Sequence, residues 1–205
     1  MDSRLSRPLL FLFFLLLPAV PASFAQDASW SGPFARHPSV SPDGRTVAFS
    51  YDGDIWTVPS AGGTARRLTV HTAYDANPVF SPDGARIAFS SNRAGNNDVF
   101  VIESAGAEAP VQLTYHGSYD RPVGWTPDGL DVVFMAAREL SPRRLATPYR
   151  VPADGSRMPV KLARVLAMHA AISTDGSTYA FTRGYSPWYR KHYRGSGNYD
   201  IWLYS

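Results

Sequence analysis

Four tight turns recur along this chain and set its period: Ser41-Pro42-Asp43-Gly44, Ser81-Pro82-Asp83-Gly84, Thr126-Pro127-Asp128-Gly129 and Ser173-Thr174-Asp175-Gly176. Their aspartates lie 40, 45 and 47 residues apart (43 to 83, 83 to 128, 128 to 175). Pro at the second position presets φ, Asp tolerates the bridge region and Gly accepts positive φ, so each turn reverses the chain between two strands. Four residues after each Asp stand Val47, Ile87, Val132 and Tyr179, and six residues after it stand Phe49, Phe89, Phe134 and Phe181. That period of two describes a strand with one face buried.

A third strand follows as Asp54-Ile55-Trp56, Asp98-Val99-Phe100 and Asp200-Ile201-Trp202, whereas the third unit offers only Tyr149-Arg150-Val151. Fourth strands read Arg67-Leu68-Thr69, Gln112-Leu113-Thr114 and Lys161-Leu162-Ala163, reached through turns such as Ala61-Gly62-Gly63 and Asp154-Gly155. Repeats of 40 to 50 residues with four strands each are the signature of propeller blades, which bury their faces on their neighbours. The expected fold is therefore all-β: a propeller of four-stranded antiparallel blades near 37–77, 78–121, 122–169 and 170–205, the fourth incomplete. The last unit reaches Tyr204-Ser205 without a Leu-Thr strand, which reads as truncation of a larger ring. A closed four-bladed ring would have to borrow a strand, for which Asp27 to Arg36 are available.

The first residues bear on compartment. Arg4 and Arg7 precede an apolar run from Leu9 to Leu17, short for a membrane span, and small residues follow up to Ala25. This reads as a signal peptide over residues 1–25, with the propeller region at 26–205 and a periplasmic destination across the inner membrane. Removing Arg4, Arg7 and Asp2 takes the formal charge from +3 to +2. Such a balance argues against nucleic acid as a partner, and no later run is long enough for stable membrane insertion. The chain has no cysteine, so it holds together by packing alone and offers neither a thiol nucleophile nor a Cys zinc site.

The S-P-D-G turn, the I-A-F strand, the D-I-W strand and the L-T ending resemble the TolB-type, WD40-like blades of exported bacterial proteins, without the Gly-His and Trp-Asp signatures of true WD40 blades. Trp188-Tyr189-Arg190-Lys191-His192-Tyr193-Arg194-Gly195-Ser196 with Asp200-Ile201-Trp202 is similar to a blade of tricorn-type serine proteases, as is Pro122-Val123-Gly124-Trp125-Thr126-Pro127-Asp128-Gly129. The resemblance spans about residues 36 to 204. It implies a six-bladed propeller that filters peptides for a C-terminal serine peptidase domain, in a full-length relative with room for an oligomer. None of that family's catalytic residues maps onto this sequence. The alternative is a free-standing TolB-like module that docks a partner protein.

The residues themselves offer no catalytic constellation. No G-x-S-x-G occurs, and Gly195-Ser196-Gly197 reads as a loop. His37, His71, His116, His169 and His192 are spread over different units, so neither metal nor cofactor is expected. Asp43, Asp83, Asp128 and Asp175 are accounted for as structural turn residues. One surface stands out. The register His71-x-x-Tyr74-Asp75 recurs as His116-x-x-Tyr119-Asp120 in the connections between units, on the same side as the loops from second to third strand. Those loops collect Arg93, then Arg138, Arg143 and Arg144, then Trp188, Arg190, Lys191, His192 and Arg194. From Arg138 onward they form a candidate rim that would contact peptide carboxylates and backbone. The alternative is that these loops fold onto the propeller and pair with its own carboxylates.

Overall fold

The structure, a computed structural model, describes residues 34–106, 108–139, 145–173, 175–183 and 200–204. Among them there is no helix, and hence none long and apolar enough to cross a membrane. Residues 1–33, which carry the leader expected from sequence, lie outside the described residues.

The strands form four antiparallel sheets in chain order. The first contains β1 (Arg36–Val40), β2 (Thr46–Tyr51), β3 (Asp54–Pro59) and β4 (Arg66–Arg67). The second contains β5 (Asp75–Phe80), β6 (Arg86–Ser91), β7 (Asp98–Glu103) and β8 (Val111–Gln112). The third contains β9 (Asp120–Trp125), β10 (Asp131–Ala136), β11 (Thr147–Pro152) and β12 (Val160–Lys161). The fourth contains β13 (His169–Ile172), β14 (Tyr179–Arg183) and β15 (Asp200–Tyr204). These are propeller blades with the S-P-D-G turn joining first and second strands, as the repeat predicts. Among the described residues the ring is not closed: Arg36 pairs with Ser50 inside the first blade and not with the fourth.

The third unit is more regular than its sequence indicates. β11 pairs with β10 over six positions from Asp131↔Pro152 to Ala136↔Thr147. Thr147, almost fully buried, occupies the place that Asp54 and Asp98 hold in the earlier blades. The strand survives the loss of the D-I-W pattern through its full backbone ladder to β10.

Three apolar clusters lie between successive blades. Ala48, Ile55 and Leu68 of the first meet Phe80, Ile87 and Phe89 of the second. Val99, Val101 and Leu113 of the second meet Trp125, Val132 and Phe134 of the third, and Met135 and Ala167 meet Phe181 of the fourth. Polar groups pin the same seams. Arg66 donates to the carbonyls of Ser104 and Ala105, both at 2.8 Å. The Trp125 indole donates to Val79 O (3.0 Å), and Arg86 lies 5.0 Å from that ring while donating to Gly129 O (2.7 Å).

Phe89 has no exposed surface and stacks on Phe100 with centroids 5.9 Å apart, at the seam of the first two blades. Phe89→Ala should cost about 3–5 kcal/mol, the usual penalty for deleting a buried ring. Urea unfolding of the full chain would read this as a lower midpoint, and an unchanged midpoint would contradict the buried placement.

Candidate functional site

On the face carrying the blade-to-blade connections, the second and third blades each hold a buried ion pair of their own. Arg93 donates to Asp75 Oδ2 at 2.7 Å, and Arg138 to Asp120 Oδ2 at 2.5 Å, with both aspartates fully buried. Each guanidinium also covers a stacked aromatic pair: Arg93 lies 5.5 and 5.0 Å from the rings of Phe89 and Phe100, and Arg138 lies 5.1 and 5.0 Å from those of Phe134 and Tyr149. Both pairs are 18 residues apart in sequence (75 to 93, 120 to 138), a repeat that could have disclosed the pairing. Arg138, expected on the rim, is thus held in the blade with its side chain only 14% exposed. Its pairing follows the alternative in which these loops fold onto the propeller.

The Asp120 carboxylate also approaches the preceding blade. Thr114 Oγ1 accepts from Val99 N (2.9 Å) and donates to Asp98 Oδ1 (3.1 Å), so its single proton leaves Oδ1 of neighbouring Asp120 buried without a donor. Burial pushes both carboxyls up from the ordinary value, against the hydrogen bond from Thr114 at Asp98 and against Arg138 at Asp120. Thr69 and Asp54 repeat the arrangement in the first blade, with Oγ1 donating to Oδ1 at 3.2 Å.

The histidines of the H-x-x-Y-D register serve the backbone. His71 Nδ1 accepts from Ala73 N (2.9 Å) and His116 Nδ1 from Ser118 N (3.1 Å), shaping each connection. Asn92 Oδ1 accepts from Tyr74 N (2.7 Å) and Asn96 donates to His116 O (2.7 Å), so the loop between second and third strands shares this face with the connections. Arg143, Arg144, Trp188, Arg190, Lys191, His192 and Arg194 lie outside the described residues.

At the opposite ends of the inner strands, the four turns nest in series. The Pro of each turn sits against the Gly of the next: Pro42 by Gly84, Pro82 by Gly129, Pro127 by Gly176. A Cβ on Gly176 would come within 2.6 Å of Pro127, and its φ of 72° disfavours any other residue. In every turn the Asp accepts from the Ser or Thr hydroxyl two residues earlier, at 2.5–2.6 Å, and these bonds hold all four carboxyls below the ordinary value.

Between the inner strands lies a depression of about 220 Å³ to which all four blades contribute. His37, Asn77, Arg121 and His169 line it, with Pro38 and Pro122 among the apolar neighbours. His37 and Asn77 occupy matching bulges, with φ of 52° and 55° in the left-handed region. Bulges re-aim side chains, and such φ values are uncommon outside glycine. His37, Asn77 and His169 each stand four residues before a turn serine (41, 81 and 173), a register obscured in sequence because the residue types differ. Among the described residues no group of three or more His, Cys, Asp or Glu is placed to hold a metal ion.

The family described as the Tricorn protease N-terminal beta propeller domain matches residues 33–205. The chain belongs to this family. Tricorn protease homolog 1 of Streptomyces coelicolor is 37% identical over 68 residues, 33% of this chain and 6% of that protein. A Protein TolB homolog of Chlorobium luteolum is 41% identical over 58 residues, 28% of this chain and 13% of that protein. The chain therefore spans a small part of these curated relatives. The putative TolB from Agrobacterium tumefaciens has the same fold, with a TM-score of 0.65 and 22% identity over 83% of this chain and 57% of that one. So does the tricorn protease, with a TM-score of 0.64 and 24% identity over 82% of this chain and 17% of that one.

Two outcomes test this geometry. Asp120→Asn should cost about 3 kcal/mol or more, because it strands a buried guanidinium, while Asp120→Ala with Arg138→Leu should cost less than the two single changes together. Thermal unfolding of the four proteins closes that cycle. Asp175 should titrate at about 2 in carboxyl NMR, and Ser173→Ala should raise that value. Since the folded value is lowered, the stability it contributes is present above the ordinary carboxylate value and is lost as pH falls through about 2.

Proposed function

We propose that this chain is the propeller portion of an exported, tricorn-like serine peptidase, and that it gates or filters peptides for a peptidase domain lying outside these 205 residues. Membership of the tricorn N-terminal propeller family over residues 33–205 carries this reading. A depression at the convergence of four inner strands, with a few polar side chains set among Pro, Val and Ala, is the kind of concave site that holds a ligand. Export rests on the basic and apolar leader around Arg4, Arg7 and Leu9 to Leu17. The chain itself then binds and selects, and hydrolysis belongs to the other domain.

A second reading, a TolB-like module that docks a folded partner protein, is favoured by the match to the Chlorobium luteolum TolB homolog. The two differ in what the propeller holds. Incubating the full chain with a mixture of short peptides, followed by mass spectrometry of bound and free fractions, should recover peptides that are retained and uncut. Cleaved peptides would overturn the non-catalytic role. Retention of folded proteins with no retention of peptides would replace gating by the docking reading.

A further inference from the structure

Three groups able to carry positive charge meet at the axial depression: His37 on β1, Arg121 on β9 and His169 on β13. No Asp or Glu lines it. Arg93 and Arg138 are neutralised by Asp75 and Asp120. Arg121, like Arg66 and Arg86 at the seams, has no carboxylate partner among the described residues, but it lies in a depression that two imidazoles also line. Among the described residues its guanidinium makes one hydrogen bond, from Nη2 to Met168 O at 3.1 Å. Asn77 donates its amide to Ser90 Oγ (2.9 Å) and Tyr119 Oη (3.2 Å), which leaves Oδ1 to accept.

We infer that the depression binds a carboxylate borne on an extended peptide. Arg121 supplies the fixed cation, His37 and His169 flank it as donors, and Asn77 Oδ1 accepts a backbone N–H of the same peptide. The inference rests on the peptide-handling reading above and names the group that is read. Arg121 is a cation without a counter-charge, and a bound carboxylate supplies one through charge-assisted hydrogen bonds that strengthen when the imidazoles gain their protons. The strained bulges at His37 and Asn77 fit a site held in shape for a ligand. The turn carboxylates at the far ends of the same strands disfavour an anion entering from there, so entry is from the face with the blade connections.

The groups facing the imidazoles set the pH response. His37 meets Arg36 of its own strand and Arg121 of β9; β5 brings Asn77, and Tyr119 precedes β9. His169 meets Arg121 and, on β14, Thr182. Partial desolvation of these exposed rings first, then the arginines, holds both imidazoles below their ordinary value. They are therefore mostly neutral at pH 7.5 and gain charge only as pH falls below the ordinary imidazole value, so carboxylate affinity should rise as pH is lowered through that range.

NMR of the full chain tests this, following the imidazole C–H signals of His37 and His169 with N-acetylalanine, acetyl-trialanine as free acid or amide, and an amidated peptide containing one Glu. The acids should shift both signals, and the trialanine amide should not. Arg121→Gln should weaken binding at least ten-fold. His37→Gln, at an exposed position, should weaken it several-fold while circular dichroism stays unchanged. Binding by the free acid alone assigns a chain terminus, whereas binding of the Glu peptide too assigns any carboxylate. Equal binding of the trialanine amide, or full affinity in both folded variants, overturns the site. Peptides that bind without moving either imidazole also overturn it but leave peptide handling intact. N-acetylalanine moving them while no peptide is retained overturns peptide handling and leaves the carboxylate site.

Discussion

Everything in this structure depends on one constraint: a four-stranded blade has two faces and can bury them only against its neighbours. The apolar clusters accordingly lie between sheets and not within any one of them. In the last three blades the recurring Phe, six residues after the turn Asp, joins these clusters, whereas Phe49 of the first blade is only half-buried and Ala48, Ile55 and Leu68 fill its seam. Because each seam is built from two blades, the polar devices also bridge them: Arg66 reaching Ser104 and Ala105, Arg86 reaching Gly129, and the Trp125 indole reaching Val79 O.

The same stacking brings the first strands of all four blades together around the axis. Residues distant in sequence, such as His37 and His169, then line one depression. The bulges that place His37 and Asn77 there interrupt the ladder at matching points, so the blade gives up regular pairing where its side chains face the axis. At the turn ends of those strands the chain carries ionised carboxylates, and in the axial depression it carries basic groups. The channel region is therefore polar in a directed sense.

Strand order and three of the four Phe positions, Phe89, Phe134 and Phe181, were legible in the sequence because turn chemistry and a period of two are local signals; Phe49 is only half-buried, because the first blade has no described neighbour on its outer seam. The third strand of the third unit was less legible, since a buried Thr147 stands where the other units have Asp while the backbone ladder to β10 is kept. The pairing of Arg93 with Asp75 and of Arg138 with Asp120 was not read, because each partner has a satisfactory local explanation: the Asp in the H-x-x-Y-D register, the Arg in a basic loop. The axial residues were hidden for another reason. Their position relative to the turns recurs, but the side chains there are His, Asn, Pro122 and His, which share no pattern of residue type. Only the convergence of the four inner strands discloses them. The rest of the basic rim, from Arg143 to Arg194, lies outside the described residues.

The central claim is that the propeller axis, and not an outer edge, is where this chain meets peptide. A crystal structure of the full chain grown with a short peptide bearing a free carboxylate tests it most directly. The account predicts peptide density between β1, β5, β9 and β13, with the carboxylate against Arg121. A peptide added as an extra strand along β15, whose Ile201 and Leu203 are 78% and 70% exposed, with an empty axis, would contradict it.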